Sequence, residues 1–322
     1  MAKNNNLHKA KTAKNDEFYT QITDIEKELK HYKNHFKDKI IFCNCDDPKQ
    51  SNFWKYFHLN FNHFGLKKLI ATHYHETEPT YKIEYTGEDD NNCDIGVVTS
   101  LETNGDFRSP ECVELLQEAD IVVTNPPFSL FREYVAQLMA YDKKFIIMGN
   151  NNAITYKEFF PLLKNNQVWL GFTSNKTCVF RVPPEYKYDT KITSDINDGK
   201  RYGKVPAISW FTNLDIIKRH EFLDLIEKYT PEKYPKYDNY DAINVNKVLD
   251  IPVDYDGVMG VPITFLDKFC PEQFEILGMA AGNSRATGLY FDVTYTQHKE
   301  DKGGCGVVNN KRQYARILIK KK

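Results

Sequence analysis

The amino-acid sequence predicts an α/β fold built on a doubly wound, mostly parallel sheet. Along the first two thirds of the 322 residues, short apolar runs alternate with amphipathic segments. This alternation is typical of strands joined by helical crossovers. It weakens from about residue 218, and Tyr, Asp, Asn and Pro are frequent at residues 230–262. We therefore expect an irregular but ordered region after the sheet.

Residues that favour helix starts set the predicted boundaries. Residues 23–26 and 155–158 each have the Thr-x-x-Glu pattern of a capping box. Ser109 followed by Pro110 is the pairing typical of an N-cap and the first helical position. In chain order, the predicted elements are a helix from about residue 25, a strand at 39–43, a helix at 51–64 ended by Gly65, a strand at 66–72, an edge strand or hairpin near 81–85, a helix after Ser109, a strand at 121–124, a helix at 129–141, a strand at 145–148, a helix after 155–158, and closing strands at 168–172, 178–182 and 207–211.

Composition excludes several classes of protein. No apolar run approaches the roughly 20 residues of a membrane span, so we expect no membrane partner. The N-terminus lacks the apolar core of a secretory signal, which predicts a cytoplasmic location. The seven cysteines are odd in number and scattered, an arrangement that argues against a disulfide framework.

Charge is balanced overall but unevenly placed. The chain has 43 Lys and Arg against 44 Asp and Glu. Residues 1–15 contain four lysines and no acid, and residues 311–322 contain six basic residues and no acid. Basic ends on an acidic body can contact a polyanion, because Lys and Arg bind phosphates. They can equally be solvated termini, and the charge pattern alone favours that simpler interpretation.

The motif Asn125-Pro126-Pro127-Phe128 directly follows the predicted strand at 121–124. A strand, loop, helix and strand in this order place the loop at the carboxyl edge of a parallel sheet, where doubly wound folds bind ligands. Two prolines make such a loop stiff and preorganise its backbone carbonyls. A strand-ending turn with a core Phe is the structural alternative, but the flanking Asn and aromatic residue favour function.

This loop suits methylation of an amino nitrogen that is conjugated to a ring or a carbonyl. Such a nitrogen is a poor nucleophile until acceptors hold its two hydrogens. The Asn125 side-chain oxygen and the Pro126 carbonyl can be those acceptors, and Phe128 offers a face for stacking a flat base. The amine would attack the methyl of S-adenosylmethionine in line. A base in a duplex would first have to be flipped out.

The wider chain resembles the EcoRI-type adenine-N6 DNA methyltransferases. Matching blocks occur nearly from end to end, at residues 16–21, 43–48, 105–108, 120–131, 236–246, 257–265 and 316–320. The resemblance implies the sheet of S-adenosylmethionine-dependent methyltransferases, that compound as methyl donor, and adenine N6 in double-stranded DNA as acceptor.

The resemblance also implies which residues bind the cofactor. Three sets are expected: Phe18, Tyr19 and Thr20 near its methionine end, Cys43, Asn44 and Asp46 in the loop beneath it, and Asp106 with Phe107 at its adenine. Phe18 and Tyr19 could instead be core aromatics, and Asp106 could be a residue that leads into a helix. Most methyltransferases of this fold have glycines after the first strand. Residues 43–48 lack them, and the EcoRI-type enzymes share this departure.

Two further patterns have competing interpretations. Cys43-x-Cys45 and His73-x-His75 lack the paired spacing of a structural zinc site, so no metal is expected. Residues 236–246 could read bases or could brace the C-terminal region. We therefore predict a basic arm at 1–15, a catalytic S-adenosylmethionine-binding domain at 16–215, and an irregular DNA-recognition region at 216–322.

The sequence thus predicts a site-specific DNA adenine-N6 methyltransferase. Its functional, non-physical partner could be a restriction endonuclease, or the enzyme could be solitary. A second hypothesis keeps the chemistry but changes the acceptor to RNA or a protein glutamine amide. A third is a non-catalytic DNA-binding protein that retains the fold, and the intact motif at 125–128 argues against it.

Overall fold

The computed structural model describes residues 19–45, 47–87, 96–182, 192–194 and 199–322. Phe18, Asp46 and the predicted basic arm lie outside the described residues. The chain forms two compact units. The first contains the described residues up to Ala153 together with Leu170–Leu214, and the second contains Ile154–Trp169 and Asp215–Lys322. The functional division at residues 215 and 216 stays a prediction.

Strands are distributed along the whole described chain. They are β1 (Tyr19–Thr20), β2 (Ile40–Cys43), β3 (Lys68–His73), β4 (Tyr81–Tyr85), β5 (Val97–Ser100), β6 (Ile121–Thr124), β7 (Lys144–Asn150), β8 (Trp169–Leu170), β9 (Lys176–Val182), β10 (Ile192–Ser194), β11 (Arg201–Thr212), β12 (Ile243–Asn244), β13 (Met259–Pro262), β14 (Phe274–Ala280), β15 (Val307–Val308), β16 (Lys311–Arg312) and β17 (Arg316–Lys321).

The α-helices are short. They are α1 (Ile22–Leu29), α2 (Lys33–Phe36), α3 (Asn52–Leu59), α4 (Phe61–Phe64), α5 (Pro110–Glu118), α6 (Phe131–Ala140), α7 (Phe160–Lys164) and α8 (Ser284–Thr287). Within the described residues, no helix has both the length and the apolar composition needed to cross a membrane.

A large mixed sheet forms the centre of the first unit. Its strand order is β1-β9-β11-β7-β6-β2-β3-β4-β5, and β10 pairs with β11 beside this path. Strands β7, β6, β2 and β3 are parallel neighbours. Antiparallel pairing extends this parallel centre on both sides, through β11 and β9 on one and through β4 and β5 on the other. The predicted α/β class is confirmed in this mixed form.

The chain winds outward in two directions from the pair β2 and β6. It passes from β2 through α3 to β3 on one side, and from β6 through α6 to β7 on the other. Because such crossovers are right-handed, the two helices lie on opposite faces of the sheet. The carboxyl ends of β2 and β6 therefore flank a topological switch point, which is where open α/β sheets form a crevice.

Helix ends test the capping predictions directly. Ser109 caps α5 as predicted, with its Oγ accepting a hydrogen bond from the Cys112 N–H at 3.4 Å, and Pro110 is the first helical residue. Gly65 ends α4 with a φ of 62°, a left-handed conformation that favours glycine. Both predicted capping boxes are wrong. Helix α1 already begins at Ile22, so Thr23 lies inside it, and α7 begins only at Phe160.

The second unit contains its own small sheet, with strand order β12-β13-β17-β14, and the separate hairpin of β15 and β16. Pairing of β17 with β13 and β14 is antiparallel. The prediction of an irregular region is therefore incomplete, because buried strands such as 316–321 hold it together. A core cluster packs on this sheet and consists of Tyr237, Tyr240, Ala242, Ala280, Val293, Val308 and Leu318.

A buried carboxyl joins α1 to the segment after β8. Glu28 is fully buried and accepts hydrogen bonds from the backbone N–H groups of Phe172 and Thr173, both at 2.7 Å, and from the Tyr32 hydroxyl at 2.9 Å. Burial raises the pKa of Glu28 above its ordinary value, and these donors oppose the shift. The Glu28 carboxyl group therefore has a structural rather than a catalytic role, which is to hold the backbone at Phe172 and Thr173.

Glu28→Ala should lower the free energy of unfolding by roughly 2–5 kcal/mol, because it removes the acceptor of two buried backbone donors. Urea titration followed by circular dichroism measures this change. Glu26→Ala is the matched control, since Glu26 is exposed on the same helix, and it should change stability by less than about 0.5 kcal/mol. Equal midpoints for the two variants would contradict this role of Glu28.

Candidate active site

The motif at 125–128 begins where β6 ends at Thr124, at the carboxyl edge of the parallel strands. Asn125 is buried, and so is its side-chain oxygen. Pro127 accepts a hydrogen bond from the Leu130 N–H at 3.0 Å, which starts the turn that leads into α6. This hydrogen bond uses the carbonyl of Pro127. The carbonyl that the sequence predicts as an acceptor for the target amine is that of Pro126.

Asn44 joins the two strands that flank the switch point. It directly follows β2 and is buried. Its backbone carbonyl accepts a hydrogen bond from the Thr124 hydroxyl, and its side-chain oxygen accepts one from the Tyr134 hydroxyl. Burial raises the pKa of Tyr134 well above its ordinary value, so the phenol keeps its proton and donates it to this bond. The loop after β2 is thereby fixed to the strand that carries the motif.

The loop after β2 turns without glycine. Cys45 has a φ of 74°, in the left-handed region that glycine usually occupies. A non-glycine residue there costs about 1–2 kcal/mol. Cys43, by contrast, is the buried last residue of β2. The residue types after β2 therefore depart from the common pattern, but the backbone still makes a left-handed turn at the switch point.

Asp106 and Phe107 lie beside the end of β3 and beside α6. Phe107 is buried and its ring meets the edge of the Tyr134 ring, with centroids 5.0 Å apart. The Gln137 side-chain amide donates to the Phe107 carbonyl at 3.1 Å. Gly105 permits this approach, because a Cβ there would lie 2.3 Å from the His73 carbonyl oxygen. Contacts thus connect the 105–107 segment to Asn44 through Tyr134.

Asp106 has a clear structural partner. Arg108 pairs with its carboxylate at 2.7 Å, and the Asp106 carbonyl accepts from the Ser109 N–H at 2.8 Å. Burial acts to raise the pKa of Asp106, but the Arg108 interactions outweigh it and the net pKa is lowered. These bonds are those expected of a residue that leads into α5. A role at a cofactor adenine stays a prediction.

Tyr19 and Thr20 are held by a different set of contacts. They form β1, paired antiparallel with β9. The Thr20 hydroxyl donates to the Met148 sulfur at 3.3 Å, and its carbonyl accepts from the Asn52 side-chain amide at 2.7 Å. The Arg181 guanidinium lies 4.5 Å from the Tyr19 ring centroid. Both residues are buried. For Tyr19 these contacts suit the core-aromatic interpretation, and a cofactor role for either residue stays a prediction.

The sequence does not single out Tyr134, and it includes Asp47 only as the end of the loop at residues 43–47 that is predicted to pass beneath the cofactor. The Asp47 carboxylate accepts from the Tyr81 hydroxyl at 2.8 Å and lies 3.7 Å from His73 Nδ1. Burial lowers the pKa of His73, with Asp47 acting in the opposite direction. Asp47 follows β2, and His73 ends β3, so both lie at the carboxyl edge of the sheet. The available signals were an acidic residue in the loop at 43–48 and a tyrosine at helical spacing after Phe131.

The pairs Cys43-x-Cys45 and His73-x-His75 do not belong to a metal-binding group among the described residues. Across the part of the chain that the structure describes, no three His, Cys, Asp or Glu side chains form a group that could hold a metal ion. His73 and His75 stack, with ring centroids 6.0 Å apart. Cys43 is buried at the end of β2.

Comparison with known proteins gives consistent full-length matches. The family model described as adenine-specific methyltransferase EcoRI matches residues 6–322. Type II methyltransferase M.EcoRI of Escherichia coli is 49% identical over 338 aligned residues, covering 100% of this chain and 98% of that protein. Type II methyltransferases M.MgeORF184P of Mycoplasma genitalium and M.MpnI of Mycoplasma pneumoniae are each 42% identical, with 98% of both chains covered.

Tyr134→Phe should lower the free energy of unfolding by about 1–3 kcal/mol, because it leaves the buried Asn44 side-chain oxygen without its hydroxyl donor while keeping the ring. Chemical denaturation measures the change. Tyr141→Phe is the control, since Tyr141 follows the same helix and is partly exposed. If both variants unfold at the same denaturant concentration, the Tyr134 bond does not stabilise the site.

Proposed function

The chain belongs to the EcoRI family of adenine-specific methyltransferases, and from that premise we propose that it methylates N6 of a flipped-out adenine in double-stranded DNA. Family membership makes it a DNA methyltransferase that uses a methyl donor. The donor that we propose is S-adenosylmethionine. The single observation that supports this chemistry best is the position of the Asn125 motif at the switch point, fixed to Asn44 through Thr124.

The residues near the switch point suit the proposed donor. Bound S-adenosylmethionine supplies a methyl group on a positively charged sulfur. The loop with Cys43 and Asn44 would hold it from below, since open sheets bind ligands above the strand ends. Phe107 offers an apolar ring for an adenine. Asp47, held by Tyr81 at 2.8 Å, offers a carboxylate of the kind that accepts hydrogen bonds from ribose hydroxyls.

Asn125 and Pro126 would act on the target amine. Each oxygen accepts one N–H of the exocyclic nitrogen, which turns the nitrogen lone pair toward the methyl group. Positive charge would grow on that nitrogen as the N–C bond forms and the bond between the methyl carbon and the sulfonium sulfur breaks, with the neutral thioether as leaving group. Two preorganised acceptors would stabilise this charge until the nitrogen loses one of its protons to water. The buried position of Asn125 strengthens the effect, because water does not screen the interaction there. The two oxygens therefore select an amino group rather than a ring nitrogen.

Phe128 would hold the flipped base by stacking. The residue is half-buried, and its ring meets Phe180 edge-on at a centroid distance of 6.5 Å. An aromatic ring of this kind can stack on a planar base. Flipping costs unpairing and unstacking energy, and stacking on Phe128 would recover part of it.

The remaining parts of the proposal concern DNA binding. We assign the basic arm 1–15 to phosphate contacts and residues 216–322 to target recognition. Phosphate contacts by lysines predict binding that weakens as salt rises. The relatives at 42–49% identity are named Type II methyltransferases, so we also propose that this chain protects DNA from a partner restriction endonuclease without binding that enzyme.

Tritiated methyl transfer from S-adenosylmethionine tests the substrate class. The purified chain is incubated with DNA, transfer RNA and protein pools in parallel. The proposal expects label in DNA, located at N6 of adenine. Label only in RNA or in a glutamine amide would overturn the DNA proposal, and no label in any pool would favour a non-catalytic protein.

Asn125→Ala should lower the rate of a single methyl transfer by about 10²-fold or more, because one preorganised acceptor is lost. Affinity for S-adenosylmethionine, measured by calorimetry, should change little. Asn125→Asp should retain more activity than Asn125→Ala, because a carboxylate still offers an acceptor oxygen. Asn62→Ala, at an exposed position, is the control and should keep the wild-type rate. An unchanged rate in Asn125→Ala would remove this residue from the mechanism.

Phe128→Ala should weaken capture of the flipped base by about 1–3 kcal/mol, the usual contribution of base stacking. A duplex with 2-aminopurine at the target position reports extrusion as a rise in fluorescence, which should be smaller for this variant. Phe128→Tyr keeps the ring and should restore the signal. A full signal in Phe128→Ala would argue against stacking on this ring.

A further inference from the structure

We propose that the hairpin formed by β15 and β16 is a base-reading element that enters the major groove of the target DNA. This inference rests on the proposed function and identifies which part of residues 216–322 would recognise sequence. The hairpin consists of Val307–Val308 and Lys311–Arg312, joined by the two residues Asn309 and Asn310. It lies in a region for which the sequence predicts only irregular structure.

The turn residues form a tight and regular hairpin. Val308 pairs with Lys311, which leaves two residues in the loop. Asn309 and Asn310 have φ values of 50° and 59°. Positive φ at both central positions is the requirement of a type I′ turn, whose twist matches that of the two strands. The asparagines therefore set the backbone of the tip while their side chains remain exposed.

The exposed side chains are those that read base edges. Asn309, Asn310, Lys311 and Arg312 are all exposed and consecutive. Arg and Lys bond guanine O6 and N7 in the major groove, and Asn bonds adenine N6 and N7. Across the described ranges, neither Lys311 nor Arg312 forms an ion pair within the chain. Their charges are thus available to an external partner.

An exposed aromatic residue follows the second strand of the hairpin. Tyr314 is 88% exposed, which is the highest value among the large apolar side chains of the described residues. The first strand of the hairpin is different, because Val307 and Val308 are both buried. This strand is therefore anchored in the second unit, while the turn and the second strand present polar and basic groups and Tyr314 follows them.

The hairpin is fixed by hydrogen bonds to two residues of the block 236–246. Asn239 is buried, accepts from the Val307 N–H at 2.9 Å and donates to the Cys305 carbonyl at 2.8 Å. The Asp238 carboxylate accepts from the Asn310 N–H at 2.8 Å. Residues 236–246 could read bases or brace the C-terminal region, and these contacts favour bracing in the case of Asn239. The exposed polar and basic side chains belong to the hairpin that Asn239 supports.

The size of the ribbon suits duplex DNA. Paired strands lie about 4.8 Å apart, and the major groove of B-DNA is about 12 Å wide and admits a two-stranded ribbon. A base-reading element needs a fixed backbone, because its side chains discriminate between bases only when they are held in register with the base edges. A phosphate-binding patch would not require a fixed turn.

The test starts from the site that this chain modifies. Sequencing modified bases in DNA from cells that express it defines the site. Methyl transfer is then measured as kcat/KM on that duplex and on duplexes with one base pair of the site replaced, the target adenine being kept. The variants are Lys311→Ala, Arg312→Ala, Asn309→Gly and Asn310→Gly. Glycine keeps the positive φ of the turn and removes only the side chain.

Where a removed side chain contacts a base, we expect the variant to lose discrimination between the cognate and the substituted base pair at one position of the site. The ratio of the two kcat/KM values should fall by roughly 10- to 100-fold, the range of one good base contact. Lys144→Ala is the matched control and should leave discrimination unchanged. Lys144 is exposed and lies outside residues 216–322. It is the first residue of β7, at the opposite end of that strand from the carboxyl edge of the sheet. Thermal unfolding and cofactor affinity verify that every variant is folded.

Two results would overturn the inference while leaving the proposed function intact. One is wild-type discrimination, within about twofold, in all four hairpin variants. The other is equal weakening on every duplex with a shallower salt dependence, which is the behaviour of phosphate contacts. If the wild-type chain methylates no DNA at all, the proposed function itself fails and the inference fails with it.

Discussion

Asn44 ties the carboxyl ends of two parallel strands together, and the candidate site depends on that tie. Its backbone carbonyl and its side-chain oxygen accept hydrogen bonds from the hydroxyls of Thr124 and Tyr134. These bonds fix the loop after β2 to the end of β6 and to helix α6. A loop that positions an amine to within tenths of an ångström needs such support, since misplacement by about 1 Å can cost 10²-fold in rate. The diproline stiffens the motif from within, and Asn44 fixes it from outside.

Sequence predicted the centre of the sheet well and its edges poorly. The strand at 121–124 matches to the residue, and Ser109 and Pro110 mark the start of α5 as expected, because these signals are local. Residues 51–64 divide into two helices at Asn60 instead of forming one. The antiparallel edges could not be read from local patterns, because β1 pairs with β9 more than 150 residues away.

The same distinction separates the candidate residues that stand out in the sequence from those that do not. Asn125 stands out because its neighbours are unusual in sequence. Tyr134 does not, because its spacing matches an ordinary buried helix face and only its bond to Asn44, 90 positions away in sequence, gives it a role. Residues 236–246 show the reverse case. Their Asn and Tyr content resembles a recognition loop, but side chains such as Asn239 and Tyr240 are buried and bond the backbone at 304–307.

The central claim is that two fixed oxygens hold the hydrogens of one exocyclic nitrogen. A crystal structure of the chain with its own DNA site and a non-reactive analogue of S-adenosylmethionine tests it most directly. The account predicts an extruded adenine whose N6 lies about 3 Å from both the Asn125 side-chain oxygen and the Pro126 carbonyl, which is hydrogen-bond distance. An adenine that remains stacked in the duplex, or an N6 held by other groups, would contradict it.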